Sequence, residues 1–201
     1  MLTRNKISSL VIDTLCGQVR SQNIAVLSVY CDYQARKDQS AINIIGSLLR
    51  QVVAAAVTVP GEIRDAFEES KQGGGKRLRL PDTLKLFISV IGSMRRVYIC
   101  IDAVDELLPQ DRSEFFRALR QVVEEASNAR LFLTGRTYIR GELDKHLTRG
   151  AYIIHIVPDQ GDITRYLSRK IDDDDCRDPD LMTENLKNDI VKTMLEKSSE
   201  M

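Results

Sequence analysis

The sequence predicts an α/β fold, with a parallel β-sheet held between layers of helices. Three observations predict it. Strand-length apolar runs alternate with helix-periodic segments along the 201 residues. The runs are nearly unbroken Val, Ile, Leu and Phe, the composition of strands buried on both faces, as in parallel sheets. Asp102, Asp105, Glu106 and Arg136 fall just past two of these runs, and ligands of open α/β sheets bind at the carboxyl ends of strands.

The elements follow in order. Residues 7–20 carry Ile7, Leu10, Val11 and Leu15 at helical spacing, and 24-IAVLSVYC-31 is the first strand. Residues 39–56 form a strongly periodic helix with Ile42, Ile45, Leu49, Val52 and Ala56 on one face. A shorter polar helix over 61–71 leads into the loop 72-QGGGKRLRL-80, and 82–94 is helical again through Leu84, Phe87, Ile88 and Ile91. The second strand is 97–102. Asp111 and Glu114 read as a capping pair that opens a helix with Phe115, Leu119, Val122, Val123 and Ala126 inward. The third strand, 130-RLFLT-134, runs into Gly135-Arg136. A short helix near 140–147 precedes 151-AYIIHIV-157, expected as a fourth strand and ended by Pro158. Helices over 162–171 and 183–198 flank the acidic 172-DDDD-175. Residues 1–158 thus read as the sheet-bearing core and 159–201 as the beginning of a small helical domain.

Composition narrows the function classes. Lys+Arg and Asp+Glu both number 29, so the formal net charge is zero. No global field draws the chain to nucleic acid or to acidic lipid, and neither is expected as a partner. No apolar run approaches the ~20 residues of a membrane helix. The N-terminal stretch is interrupted by Asp13 and does not read as a signal peptide. The four cysteines (16, 31, 100, 176) and two histidines have no metal-ligand spacing. Cys31 and Cys100 lie in apolar runs as reduced thiols, which places the chain in the cytoplasm or nucleus, with the cytoplasm preferred.

The chemistry concentrates in 97-VYICIDAVDEL-107. Asp102, at the end of a central strand, suits Mg²⁺, which favours hard oxygen ligands. Asp105 and Glu106, in the turn that follows, are placed to orient or deprotonate an attacking water. The plain alternative is a strand followed by an acidic, helix-capping loop, but three acids within five residues exceed what capping needs. Thr134 and Arg136 lie past the third strand, and an arginine there can hold phosphate charge bidentately. Read alone it is as well an ordinary surface arginine. The glycine-rich 73-GGGKR-77 is not a phosphate loop. Such a loop is G-x-x-x-x-G-K-[ST] between a strand and a helix, whereas here Arg77 follows the lysine and a polar helical stretch precedes it. It reads as a surface connection. His146 and His155 are structural, and the acidic run 172–175 is a solvated loop.

Taken together, SSLVIDTL, SVYCDY, SLLRQ, VYICIDAVDEL, LFLTGR and DITRYLSRKI, in this order, resemble the NACHT domain of the STAND class of P-loop NTPases. The likeness is greatest to its fungal, nephrocystin-like N-terminal branch. It extends from about Ser8 to Met194, and IDAVDEL is its most specific piece. The resemblance implies a three-layer sheet of the P-loop NTPase type. It implies Asp102 as the Walker B metal ligand, Asp105 and Glu106 as the hydrolytic acids, and Arg136, beside Thr134, as the first sensor. Mg²⁺ with ATP or GTP would be the ligands. Members of the family are regulatory switches in signalling or heterokaryon incompatibility, with an effector domain before this one and repeats after it.

The resemblance also implies a strand and a GxxGxGKT-type loop immediately before the helix that begins near Ile7. Thr3-Arg4-Asn5 fall where Gly-Lys-Thr belongs and do not match. The chain is therefore expected to be a truncated fragment with Walker B and sensor regions and no Walker A, its first, phosphate-loop strand missing from between 130–134 and 151–157. Hydrolysis by the chain alone is not expected. Two other readings stand beside this one: a non-catalytic module that pairs with itself or with intact relatives, and a fragment without nucleotide binding or function. Two rows of backbone groups left without a strand between them are costly. The isolated chain should therefore unfold at low urea concentration, and a cooperative transition with large extrapolated stability would refute this.

Overall fold

The computed structural model describes residues 4–18, 23–55, 59–72, 78–147, 150–156, 159–173 and 182–198. The chain divides into two compact units, Met1–Ala151 and Tyr152–Met201; the division expected from sequence falls after residue 158.

The first unit runs α1 (Arg4–Gln18), β1 (Ile24–Tyr30), α2 (Ala41–Ala55), α3 (Gly61–Gln72), α4 (Leu80–Gly92), β2 (Arg96–Asp102), α5 (Pro109–Glu125), β3 (Ala129–Leu133) and α6 (Arg140–Leu147). The strands pair in parallel in the order β1-β2-β3. Leu27 pairs with Ile99, and Ile99 with Leu131. Because side chains alternate along a strand, this register turns Ala25, Leu27, Val97, Ile99, Ile101, Leu131 and Leu133 to one face. There they meet α2, α4 and α5 in a core built on Leu48, Phe87, Phe115 and Phe116. The opposite face carries Cys100 and Asp102, and α1 packs there on β1 and β2. The three layers and the parallel sheet are those the sequence predicts.

The outer edge of β1 is capped at Ser28 by a side chain. Gln51 of α2 accepts from the Ser28 N–H at 3.0 Å and donates to the Ser28 carbonyl at 2.9 Å. Its amide does what a neighbouring strand's backbone would do, and so blunts an edge that could otherwise recruit another strand.

Three expectations are corrected. Residues 151–156 form no strand and lie outside the sheet. Their β-branched composition is that of a strand, but propensity makes no strand without a neighbouring ladder. Second, α5 begins at Pro109 with Leu108 as its N-cap and no side-chain cap, so Asp111 lies inside the first turn. Proline's fixed φ and missing N–H suit the first helical position and start the helix two residues early. Third, Val123 is exposed, and the inward face includes Phe116 and Ala118 with Phe115, Leu119 and Val122. The stretch 73–77, the acids 174–175 and Cys176 lie outside the described residues.

In the second unit α7 (Gln160–Asp172) and α8 (Glu184–Ser198) pack on each other. Asp159 caps α7, its carboxylate accepting from the Asp162 N–H at 2.7 Å. Lys187 reaches Asp172 at 2.8 Å.

Candidate functional site

At the end of β2 the chain leaves the sheet through Ala103, a left-handed residue at φ 53° and ψ 44°, and enters a 3-10 turn over Val104–Glu106. A non-glycine residue in this region is uncommon and must be held there. Thr134 holds it. The Ala103 N–H donates to Thr134 Oγ1 at 2.9 Å, and the Val104 N–H donates to the Thr134 carbonyl at 2.9 Å. The Thr134 N–H in turn donates to the Ile101 carbonyl at 3.0 Å. The ends of β2 and β3 are thereby stitched together one residue beyond the regular ladder.

Asp102 sits inside this stitching, 2% exposed. Its Oδ1 accepts from Thr134 Oγ1 at 2.5 Å and from Ser8 Oγ, which comes from α1 on the other side. Ser8 is itself buried. A buried carboxylate without such donors would be costly, and two hydroxyls on one oxygen satisfy it. The Asp102 carbonyl accepts from the Cys31 N–H at 3.0 Å, extending the pairing with β1. The Cys31 thiol is pushed up to about 12, first by burial and then by the fields of Asp102, Asp105 and Glu106. It therefore remains a neutral thiol at any physiological pH. Burial likewise pushes the Cys100 thiol up to about 11, with a smaller contribution from Cys16.

Asp105 and Glu106 share one cation. The Arg136 backbone N–H donates to Asp105 Oδ1 at 3.1 Å. Its guanidinium lies 3.4 Å from Asp105 Oδ2 through Nε and 3.7 Å from Glu106 Oε1 through Nη2. Asp105 is buried, whereas the Arg136 side chain is half exposed. At Gly135 an added Cβ would come within 2.8 Å of Ile139 Cδ1 and 3.2 Å of Val104 Cγ1, so the absence of a side chain lets the Arg136 segment close on the acidic turn.

Behind the turn stands a residue that sequence reasoning did not single out. Arg112 of α5 is buried and donates through Nη1 to the carbonyls of Asp105 and Leu107, each at 3.2 Å. Its Nε and Nη2 form a fork on Glu142 of α6 at 2.8 and 2.6 Å. Tyr138 Oη donates to the Asp105 carbonyl at 3.1 Å. The fork raises the Arg112 pKa and holds the Glu142 carboxyl below its usual range. An arginine in the first turns of an amphipathic helix carries no sequence signal that separates it from a surface residue. Ser8 was legible only as part of the SSLVIDTL string.

The structure thus brings all five sequence-predicted residues, Asp102, Asp105, Glu106, Thr134 and Arg136, to the carboxyl ends of β2 and β3. Among the described residues no group of three or more His, Cys, Asp or Glu is arranged to hold a metal ion. The oxygen donors present, the Asp102 carboxylate and the Ser8 hydroxyl, fit the mode in which Mg²⁺ takes one carboxylate and completes its shell with water and phosphate. The His146 ring lies 6.4 Å from that of Phe116, and His155 lies in the segment outside the sheet.

Two consequences are measurable. Ser8→Ala should lower the stability of the chain by about 1–3 kcal/mol in urea unfolding, because it removes a donor to a buried charge. Thr134→Val should cost more, since it also strips the Ala103 N–H of its acceptor. For the fork, the folded pKa of Glu142 is lowered. Its contribution is therefore complete above the ordinary glutamate value of about 4.3 and is lost as pH falls through the lowered value. Glu142→Gln should flatten the loss of stability as pH falls below the ordinary glutamate value of about 4.3, read from urea midpoints on the acid side.

Known proteins resemble this chain in sequence and in fold. The family model described as Nephrocystin 3, N-terminal matches residues 5–136. No curated protein sequence matches. Among solved structures, that of the Aeropyrum pernix ORC1 protein in complex with DNA superposes with a TM-score of 0.54 at 14% identity, over 88% of this chain and 43% of that one. At that identity the likeness shows the fold alone, an α/β sheet of the P-loop NTPase type, and this chain spans less than half of that protein. The family match covers well over half of the chain, and with it the sheet, the acidic turn and Arg136; the chain belongs to the nephrocystin 3 N-terminal family.

Proposed function

We propose that this chain is the Walker B and sensor portion of a NACHT-type regulatory switch that responds to ATP or GTP with Mg²⁺. The observation that carries the reading is the meeting of Arg136 with Asp105 and Glu106, beside the Asp102–Ser8–Thr134 cluster, at the carboxyl ends of the neighbouring strands β2 and β3. In this reading Asp102 and Ser8 face the metal, and the metal supplies neutralisation of phosphate charge. Glu106 and Asp105 orient water. Thr134 keeps Asp102 in place, and Arg136 senses the terminal phosphate. Arg136 suits that part because its carboxylate contacts are long and half solvated, so they are weak enough to be exchanged for a phosphate.

The 201 residues contain no G-x-x-x-x-G-K-[ST] loop. The backbone N–H cradle that such a loop provides is a large part of phosphate affinity. Binding by this chain alone should therefore be weak and turnover negligible. The cytoplasm is the expected location. The effector domain, repeats and signalling role of the family belong to this proposal as well.

A second reading has its own observation. The accepting oxygen of Asp102 is occupied by two hydroxyls of its own chain, as in a site retired to a structural task. The chain would then act by association with itself or with intact relatives.

Fluorescent ATP and GTP analogues decide between the two. The first reading expects Mg²⁺-dependent binding that Arg136→Ala weakens roughly tenfold, the equivalent of about 1.4 kcal/mol. Arg136 is half exposed, so the variant should fold. Absence of binding at millimolar nucleotide, together with capture of an intact relative, would establish the second.

A further inference from the structure

We propose that Arg112 is the positioning residue of the acidic turn, and that it sets Asp105 and Glu106 in register with Arg136 by gripping the turn's backbone from behind. The chemistry of the two acids rests on the switch reading above; the grip itself rests on contacts alone.

Arg112 is a buried charge that the proposed chemistry leaves unused. It is 5% exposed, and an arginine so deep in a fold is rare unless it is paired. Four of its five N–H groups are engaged. Nε and Nη2 take the Glu142 carboxylate at 2.8 and 2.6 Å. Nη1 donates to the carbonyls of Asp105 and Leu107, each at 3.2 Å. Pairing with Glu142 needs only the first two donors. The other two are spent on the turn. A planar fork meets a carboxylate along one edge and leaves Nη1 for a second task. Lysine, with three donors at one point, cannot span a carboxylate and two carbonyls.

The turn needs such a grip. Val104–Glu106 is a single 3-10 turn, a form with poor hydrogen-bond geometry. Its own closing bonds are 2.9 Å at the Glu106 N–H and 3.4 Å at the Leu107 N–H. Thr134 holds its front through the N–H groups of Ala103 and Val104. Arg112 holds its back. The Arg136 guanidinium does neither, since contacts of 3.4 and 3.7 Å from a half-exposed side chain fix little. Tyr138 Oη shares the Asp105 carbonyl at 3.1 Å, but from a residue 63% exposed, where water competes. Asp105 is thus held by its carbonyl from α5 and by its carboxylate from the Arg136 N–H at 3.1 Å. Releasing the carbonyl frees the residue to turn. The Arg136 N–H then loses its acceptor, and the sensing arginine loses its register with the acids.

The test uses the full chain with Arg112→Lys, and with Arg112→Met together with Glu142→Leu. The paired variant replaces an ion pair by apolar side chains of similar volume, an exchange that often leaves stability intact. The lysine variant keeps a charge opposite Glu142, so either one carries the test if the other does not fold. Hydrogen exchange of two amides is followed by NMR at matched global stability. The expected result is exchange of the Arg136 N–H at least roughly tenfold faster than in the wild type. The Val104 N–H, bonded to the Thr134 carbonyl, should keep its wild-type rate. An unchanged Arg136 amide would overturn the proposal. So would equal loosening of both amides, which is what a merely structural role produces. This readout needs no nucleotide. In a second readout, Mg²⁺-dependent binding of a fluorescent ATP or GTP analogue should weaken about tenfold in the paired variant and fall no further when Arg136→Ala is added. Losses that simply add would count against the shared register. A wild-type chain that binds neither analogue would sink the switch reading, and the amide exchange alone would then decide the role of Arg112.

Discussion

The structure depends on one buried carboxylate. Asp102 is the last residue of the central strand, and its two functional groups reach in three directions. The side chain ties α1 through Ser8 and β3 through Thr134, while the carbonyl extends the pairing to β1 through Cys31. A charge removed from water must be met by donors, and here the donors come from elements far apart in sequence. That requirement fixes where α1 lies on the sheet. It also fixes how far β2 and β3 are stitched, and hence where the backbone turns off into the acidic loop.

Around this centre the polar groups divide into held and movable ones. Asp105 is buried, its carbonyl takes donors from Arg112 and Tyr138, and its carboxylate takes the Arg136 N–H. The Arg112–Glu142 fork carries the support on to α6. Pre-organisation of this kind keeps a carboxylate where chemistry needs it without reorganisation at the moment of use. The Arg136 guanidinium is the contrary case, half in solvent and in loose contact with two acids. A held anion beside a half-exposed cation is the arrangement that the proposed sensing role requires, since a ligand shifts the equilibrium of the less constrained member.

Much of this was legible from residue pattern. Runs such as 24–30 and 96–102 have strand length and no polar break, so their type and burial follow from composition, and the parallel pairing follows from the helices between them. The clustering of Asp102, Asp105, Glu106, Thr134 and Arg136 followed from their common place just past strands. Pairwise geometry was not legible. Ser8 meets Asp102 across 94 residues, and nothing local announces it. Arg112 looks like any helix-surface arginine until α6 brings Glu142 to it. Residues 151–156 show the reverse failure: the local pattern is that of a strand, and whether it becomes one depends on a neighbour that the pattern cannot supply. Leu108–Pro109 is a smaller case, in which the fixed torsion of proline outranked an acidic pair as the helix start.

Gln51 has a consequence of its own. A sheet whose two margins were both open could add strands at either side without limit, the geometry of fibres. One glutamine amide on Ser28 occupies the middle pair of outward backbone groups on that margin, so a strand laid along β1 would have to displace the Gln51 side chain first.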